Sequence, residues 1–309
     1  MIRPASEVDF VRIGELMSLN RTEPITAVEL LEYCGRFPSE GTLRYLVLDL
    51  PDTGVVAFGR AWRRPNEPAG RLNLTVATAP DFRNRGYAQR LIEALVEPEV
   101  TGLRVEVRDG DEVSLAFAKK RGFHNTAHTF ESSIDLKLVD ESGFDDHIRQ
   151  AEAQGVRFFS FAETAMDEAA LRRIYFVNED SGLDEPGAEP TPMSFEHWRD
   201  GVSKAHWFAP RGQILAAVGD EWVGLGAVGE LTPGRFYNLF TGVLTAYRGR
   251  GIAKALKALG IRYAKNQGGL TLRTNNHSAN APMLAINQRF GYVPLPGWLT
   301  FEKEISLGT

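Results

Sequence analysis

Near the start of the chain, apolar residues fall on helical spacing. In "SEVDFVRIGELMSL", Phe10, Ile13, Leu16 and Met17 share one face, with Ser6 as N-cap and acids in the first turn. "TAVELLEYCGRF" repeats that signature. The pattern then turns to strands. "RYLVLDL" (44–50) and "VVAFGRAW" (55–62) flank the turn "PDTG" and predict a hairpin, and "RLNLTVAT" (71–78) alternates as a third strand. A helix over "RNRGYAQRLIEALVE" stops at Pro98. The strand "LRVEVR", the helix "DEVSLAFAKKRGF" and a closing strand "FESSIDLKL" (130–138) complete the first half.

The second half runs the same course. "VRFFSF" reads as a strand, and "DEAALRRIYFVNE" and "SFEHWRDGVS" as helices. "QILAAVGDEWVGLGAVGEL" is a hairpin turning at Gly219 and Asp220, and "RFYNLFTGVLT" the next strand. A long helix over "GIAKALKALGIRYAKNQGG" leads to the strand "LTLRTN", the helix "ANAPMLAINQRFGY" and a last strand "WLTFEKEI". The order β-α-α-β-β-β-α-β-α-β therefore occurs twice, and the expected domains are 1–138 and 139–309. Residues 139–155 show helical spacing at Phe144, Ile148 and Ala151, which predicts a helix bridging the two. "GLDEPGAEPTPMS" (182–194) is Pro- and Gly-rich, either a loop at a substrate entrance or a plain surface insertion.

One heptapeptide sharpens the repeat. "FRNRGYA" (82–88) returns as "YRGRGIA" (247–253), each time between a strand and a helix. Gly86 and Gly251 permit positive φ and close backbone approach where strand turns into helix. The outward-facing backbone N–H groups, the helix N-terminus and the arginines make an anion cradle suited to a pyrophosphate. Neither copy is a P-loop or a G-x-G-x-x-G turn.

Composition adds limits. The chain has 309 residues, room for two cores, and a net charge of −5, which argues against a nucleic-acid or anionic-membrane partner. No apolar run approaches a membrane span and the start carries no signal-peptide core, so a cytoplasmic location is expected. Cys34, the only cysteine, excludes a disulfide within the chain and argues against a Cys-based zinc site; no metal is expected.

The two motifs resemble motif A of the GNAT superfamily of acetyl-CoA-dependent N-acetyltransferases, a strand followed by [Q/R]-x-x-G-x-[G/A] and a helix. "NAPMLAINQRFGY" (280–292) is similar to its motif B, with Asn280 at the pantetheine-contacting position; Asp111 stands there in the first half. The likeness spans nearly the whole chain and points to the two-domain branch that includes mycothiol synthase. It implies a mixed α/β fold of two tandem domains, each a mostly antiparallel sheet with a parallel, splayed strand pair. It implies acetyl-CoA, or another acyl-CoA, held by Arg248, Gly249, Arg250, Gly251, Ile252 and Ala253, with main chain at Val243, Leu244 and Thr245. The first-half equivalents are Arg83, Asn84, Arg85, Gly86, Tyr87 and Ala88, with Thr78 and Ala79.

The family's motif-B tyrosine is absent: Asn287 and Ala118 stand in its place. Family bases are commonly acids on the central strands, yet "RFYNLFTGVLT" has none. Glu230 is the nearest candidate base, or else a solvated strand-end acid, and Asn238 a residue that could orient a water. Because only the second half keeps both motifs, catalysis is expected there. The expected reaction is acetyl transfer to a small-molecule amine. A peptide or protein N-terminus is an alternative acceptor, and a catalytically silent acyl-CoA sensor or scaffold an alternative role. The chain is expected as a monomer, a pseudo-dimer in itself, or as a homodimer.

Overall fold

The hairpin expected at "PDTG" forms. β2 (Thr42–Leu50) and β3 (Gly54–Arg63) pair antiparallel, with Asp52 at φ 62° and Gly54 at φ 82° turning the chain. The structure is a computed structural model that describes residues 1–19, 24–187 and 193–305. The chain divides into two units, Met1–Ala127 with Trp298–Thr309, and His128–Gly297.

In the first unit the strand order is β1-β2-β3-β4-β5-β13, with β1 at Ile2–Pro4, β4 at Arg71–Thr78, β5 at Gly102–Arg108 and β13 at Trp298–Glu304. Only β4 and β5 run parallel. One face is covered by α1 (Phe10–Ser18) and α2 (Ala27–Arg36), whose Phe10, Ile13, Leu16 and Leu30 pack on Val47 and Phe58. Thr26 and Glu29 form a reciprocal capping box that starts α2. The other face carries α3 (Tyr87–Leu95), brought close because Gly59 of β3 leaves room for Leu91 and Leu95. α4 (Glu112–Lys120) follows β5.

The second unit has the order β6-β11-β10-β9-β8-β7: β6 is His124–Asp135, β7 Val156–Ser160, β8 Gln213–Val218, β9 Glu221–Thr232, β10 Arg235–Val243 and β11 Thr271–His277. The short β12 (Val293–Pro294) pairs with β6. Here too one pair, β10 and β11, is parallel. α6 (Glu168–Gly182) and α7 (Phe195–Trp198) cover one face, and α8 (Ile252–Asn266) the other; α9 (Ala281–Arg289) precedes β12. Trp198 is fully buried, and its Nε1 donates to Asn178.

The units do not part at 138/139. β6, expected to close the first half, pairs over its last seven residues with β11 of the second unit, from Asp135 opposite Thr271 to Thr129 opposite His277. β13, the last strand of the chain, pairs instead with β5 of the first, from Trp298 opposite Arg108 to Glu304 opposite Gly102. Alternation tells a segment that it is a strand and which side is buried, but not which neighbour it takes. The helix expected to bridge the halves is α5 (Phe144–Glu152), and it belongs to the second unit's core. Phe144 meets Phe290 edge-on at 5.3 Å, and Asp145 and Glu141 bind Arg262 of α8.

Phe301 of β13 is 2% exposed and sits among Leu72, Leu74, Leu103 and Phe123. Phe301→Ala should therefore cost the first unit about 3–5 kcal/mol. Hydrogen exchange checks this: protection should fall in β4 and β5, and a loss confined to β10 and β11 would refute the assignment.

Lys257 of α8 is 2% exposed, with Nζ 5.2 Å from the Tyr292 ring. Burial drives its pKa from 10.5 down to about 7, against the pull of Glu185. Between those two values the unfolded chain holds a proton that the folded chain lacks, so this lysine makes stability rise with pH across that window. Lys257→Met should be more stable than the parent at pH 7, with the gap narrowing toward pH 10. Urea unfolding at several pH values would show it, and a constant gap would overturn the assignment.

Candidate active site

In both units the parallel pair stays together for only a few residues. β4 and β5 pair from Arg71 opposite Gly102 to Leu74 opposite Val105, after which β4 continues to Thr78 and β5 to Arg108. β10 and β11 pair from Arg235 opposite Thr271 to Asn238 opposite Thr274, then continue to Val243 and His277. Each unit thus opens a V between strands, and each V leads to a cradle.

The cradles correspond position by position. Gly86 (φ 76°) and Gly251 (φ 81°) are the left-handed N-caps of α3 and α8, and Asn84 (φ 61°) corresponds to Gly249 (φ 80°). Gly86, Gly249 and Gly251 face open space, since a Cβ there would meet nothing within 4 Å. What requires glycine is therefore the backbone conformation and the clear approach. The first bonds into the helices are Arg90 N–H to Gly86 and Ala255 N–H to Gly251 (both 3.1 Å), so the amides of 84–89 and of 249–254 have no backbone acceptor. Unpaired amides on an open face fit a pyrophosphate. Tyr87, Ala88, Ile252 and Ala253 form the first helical turns below it.

The arginines divide into two roles. Arg83 Nε donates to the Thr78 carbonyl (3.3 Å) and Arg248 Nε to the Val243 carbonyl (3.0 Å), latching each cradle to the end of its strand. Ala79 and Leu244 are clamped as well, their amides donating to Val56 and Val223. Arg85 and Arg250 instead lie over the rings of Phe82 (5.1 Å) and Tyr247 (4.9 Å), holding their charge at the rim. In the second unit Asp184, just past α6, binds both Arg248 Nη1 (2.9 Å) and Thr245 Oγ1 (3.0 Å). It lies in the 182–194 segment; residues 188–192 fall outside the described ones.

Asn280 and Asp111 prove to be N-caps of the motif-B helices, accepting from the amides of Met283 (3.3 Å) and Ser114 (3.1 Å). The carboxylate replaces the amide without loss of the cap. Asn280 keeps an Nδ2 donor for a ligand, whereas the second oxygen of Asp111 takes the Ser114 hydroxyl.

Around the second V, β10 carries a bulge between Asn238 and Phe240 relative to β9, whereas β4 runs from Asn73 to Thr78 without one. Asn238 braces that bulge. Its Nδ2 donates to the carbonyls of Phe240 (2.6 Å) and Ala227 (3.2 Å), and its Oδ1 accepts from Thr241 (3.0 Å). Glu230 stands opposite Phe236 on the α8 face, its carboxylate accepting the Gly234 amide (2.7 Å) to close the hairpin. It is not brought to the opening of the V. Asn287 lies beneath β11, 2% exposed, donating to Asn276 (2.6 Å).

A carboxylate does reach the opening, from an unexpected strand. Glu131 of β6 lies opposite Asn275, the first residue of β11 past the pairing. It accepts from Tyr237 Oη (3.0 Å) and pairs with Arg273 (3.4 Å). Burial, followed by the charge of Glu131, pushes the Tyr237 hydroxyl well above its usual range, so it remains the donor. Sequence reasoning missed this group because it assigned 130–138 to the other half. The acid was visible; its neighbour was not.

The first V opens on a cavity of about 810 Å³ lined by Thr75 to Thr78, by the cradle and by α4. The buried Thr78 hydroxyl has no partner there. Among the described residues no group of three or more His, Cys, Asp or Glu could hold a metal, and no helix is long and apolar enough to cross a membrane.

Comparison with known proteins agrees with this architecture. The model of the Acetyltransferase (GNAT) family matches residues 13–123 and 169–292, one stretch in each half. The chain is 28% identical over 221 residues to a mycothiol acetyltransferase of Amycolatopsis mediterranei (strain U-32), covering 69% of each chain. It is 24% identical over 278 residues to that of Streptomyces scabiei (strain 87.22), covering 86% of this chain and 82% of the relative. A solved tandem GNAT protein from the clavulanic acid biosynthesis pathway superposes with a TM-score of 0.69 at 18% identity, covering 100% and 99% of the two chains. With one V and one cradle in each half, and the family model matching both, the chain is a tandem acetyltransferase of the GNAT family.

Proposed function

We propose that the chain moves an acetyl group from acetyl-CoA to the primary amine of a small molecule, with the reaction in the second unit. The observation that carries this reading is the pairing of the β10 bulge with Glu131 at the opening of the same V. The cradle at 249–254 would hold the pyrophosphate, and Asn280 Nδ2 would meet the pantetheine arm. The bound thioester supplies the electrophile and a thiolate leaving group. A bulge frees backbone N–H groups from the ladder, and one aimed into the V stabilises the oxyanion. Glu131, oriented by Arg273 and Tyr237, takes the proton of the attacking amine. Two relatives named for mycothiol rather than for a protein favour a small acceptor over a protein N-terminus.

A second reading, a silent acyl-CoA binder, draws support from the buried Asn287 and from Asp184 on the second cradle. Calorimetric titration and a turnover assay separate them. Two acetyl-CoA sites per chain are expected. Arg85→Glu should weaken one and Arg250→Glu the other, each about tenfold to a hundredfold. Only Arg250→Glu should raise the KM for acetyl-CoA in transfer, by a similar factor. A KM raised in Arg85→Glu but not in Arg250→Glu would move the reaction to the first unit. Glu131→Gln should lower kcat by roughly 10² or more while leaving acetyl-CoA affinity unchanged. A normal kcat would remove it as the base.

A further inference from the structure

The cavity of the first unit runs past its cradle to side chains that the proposed transfer in the second unit does not use. Strand register sets two of them side by side: Arg60 on β3 faces Thr75 on β4, and Tyr45 on β2, outside the lining, lies on the far side of Arg60. Leu74 pairs with Val105, so Thr75 and Glu106 point to the same side of the sheet across the opening V. That side is the one covered by α1 and α2, since Tyr45 packs with Phe10, Ile13 and Leu30.

Arg60 is a guanidinium with no acid against it. Its one hydrogen bond runs from Nη2 to Thr75 Oγ1 (3.2 Å), and no carboxylate among the described residues pairs with it. The rings of Tyr33, Trp62 and Tyr45 lie 5.6, 5.9 and 6.0 Å from its Cζ. Its Nε is buried without a partner, and the Tyr45 hydroxyl, on a residue 9% exposed, is buried beside Arg60 and the Cys34 thiol. Arg104 of β5 shows the alternative: Glu302 neutralises it at 2.9 Å. A positive charge held at a cavity wall with no acid against it favours an anion there. Arg60 lines the cavity, and an arginine fork binds a carboxylate through two parallel bonds.

Glu106 also lines the cavity, exposed and unpaired, roughly 10 Å or more from Arg60 across two strand spacings. Leu16, Met17 and Ala77 give the same end an apolar wall. A cation, an anion and an apolar wall together match a molecule with carboxylate, ammonium and apolar side group. We propose that the first unit binds an α-amino acid with an apolar side chain, its carboxylate on Arg60 and its ammonium toward Glu106.

The test is saturation-transfer NMR and calorimetry on the full chain without acyl-CoA. The probes are L-leucine, L-methionine and L-phenylalanine, each beside the amine that lacks its carboxylate. At least one amino acid should bind, with its amine at least about tenfold weaker. Arg60→Gln should weaken binding about tenfold or more, and Glu106→Gln, at an exposed position where folding is not at stake, several-fold. Arg250→Glu should change nothing. No binding by any of the three at about 10 mM, equal binding of the amines, or undiminished binding in both Arg60→Gln and Glu106→Gln would overturn the proposal. Since the readout involves no acetyl transfer, its failure leaves the reading of the second unit intact.

Discussion

Two parallel strands that cease to pair govern everything functional in this chain. Four residue pairs hold β4 to β5, and four hold β10 to β11, before each couple parts. Parallel strands share evenly spaced bonds, so a gap between them leaves backbone polar groups that must find water or a ligand. The left-handed glycines then lift the start of each helix so that its free amides face the same gap. Cavity and cradle are both placed by that parting.

The two Vs are built alike and finished differently. In the second, a bulge braced by Asn238 and a buried chain of Asn276, Asn287 and Ser132 stiffen the strands around the opening. Asparagine suits such a place, because its amide both donates and accepts and leaves no charge to bury. In the first, β4 is unbulged and the equivalent Asn73 reaches Glu67 in a loop. Divergence after duplication has kept the backbone of the cradle while changing what lies opposite it.

Much of this was legible in the sequence. Arg83 and Arg248, 165 residues apart, announced the repeat, and both did fall between a strand and a helix. The left-handed conformation of Gly86 and Gly251 followed from that position alone. The destination of an edge strand was not legible. "FESSIDLKL" alternates as a strand should, but its partner is β11, and period carries no address. Glu131 was lost with it, and Glu230 stood out only because it lay near in sequence. The stacking of Arg85 and Arg250, as opposed to the latching of Arg83 and Arg248, was likewise beyond a motif that writes all four as basic residues.

The placement of β13 sets an order of events for the growing chain. During synthesis the first unit has five strands of its sheet early, but β5 lacks its antiparallel neighbour until Trp298–Glu304 has been made. Until then Leu72, Leu103 and Val107 lack the Phe301 ring that covers them. β6, by contrast, is made before every strand it will pair with. The half translated first is therefore the half completed last, and a ribosome stalled shortly before residue 298 holds a second unit with all its own strands and a first unit that still lacks the strand beside β5.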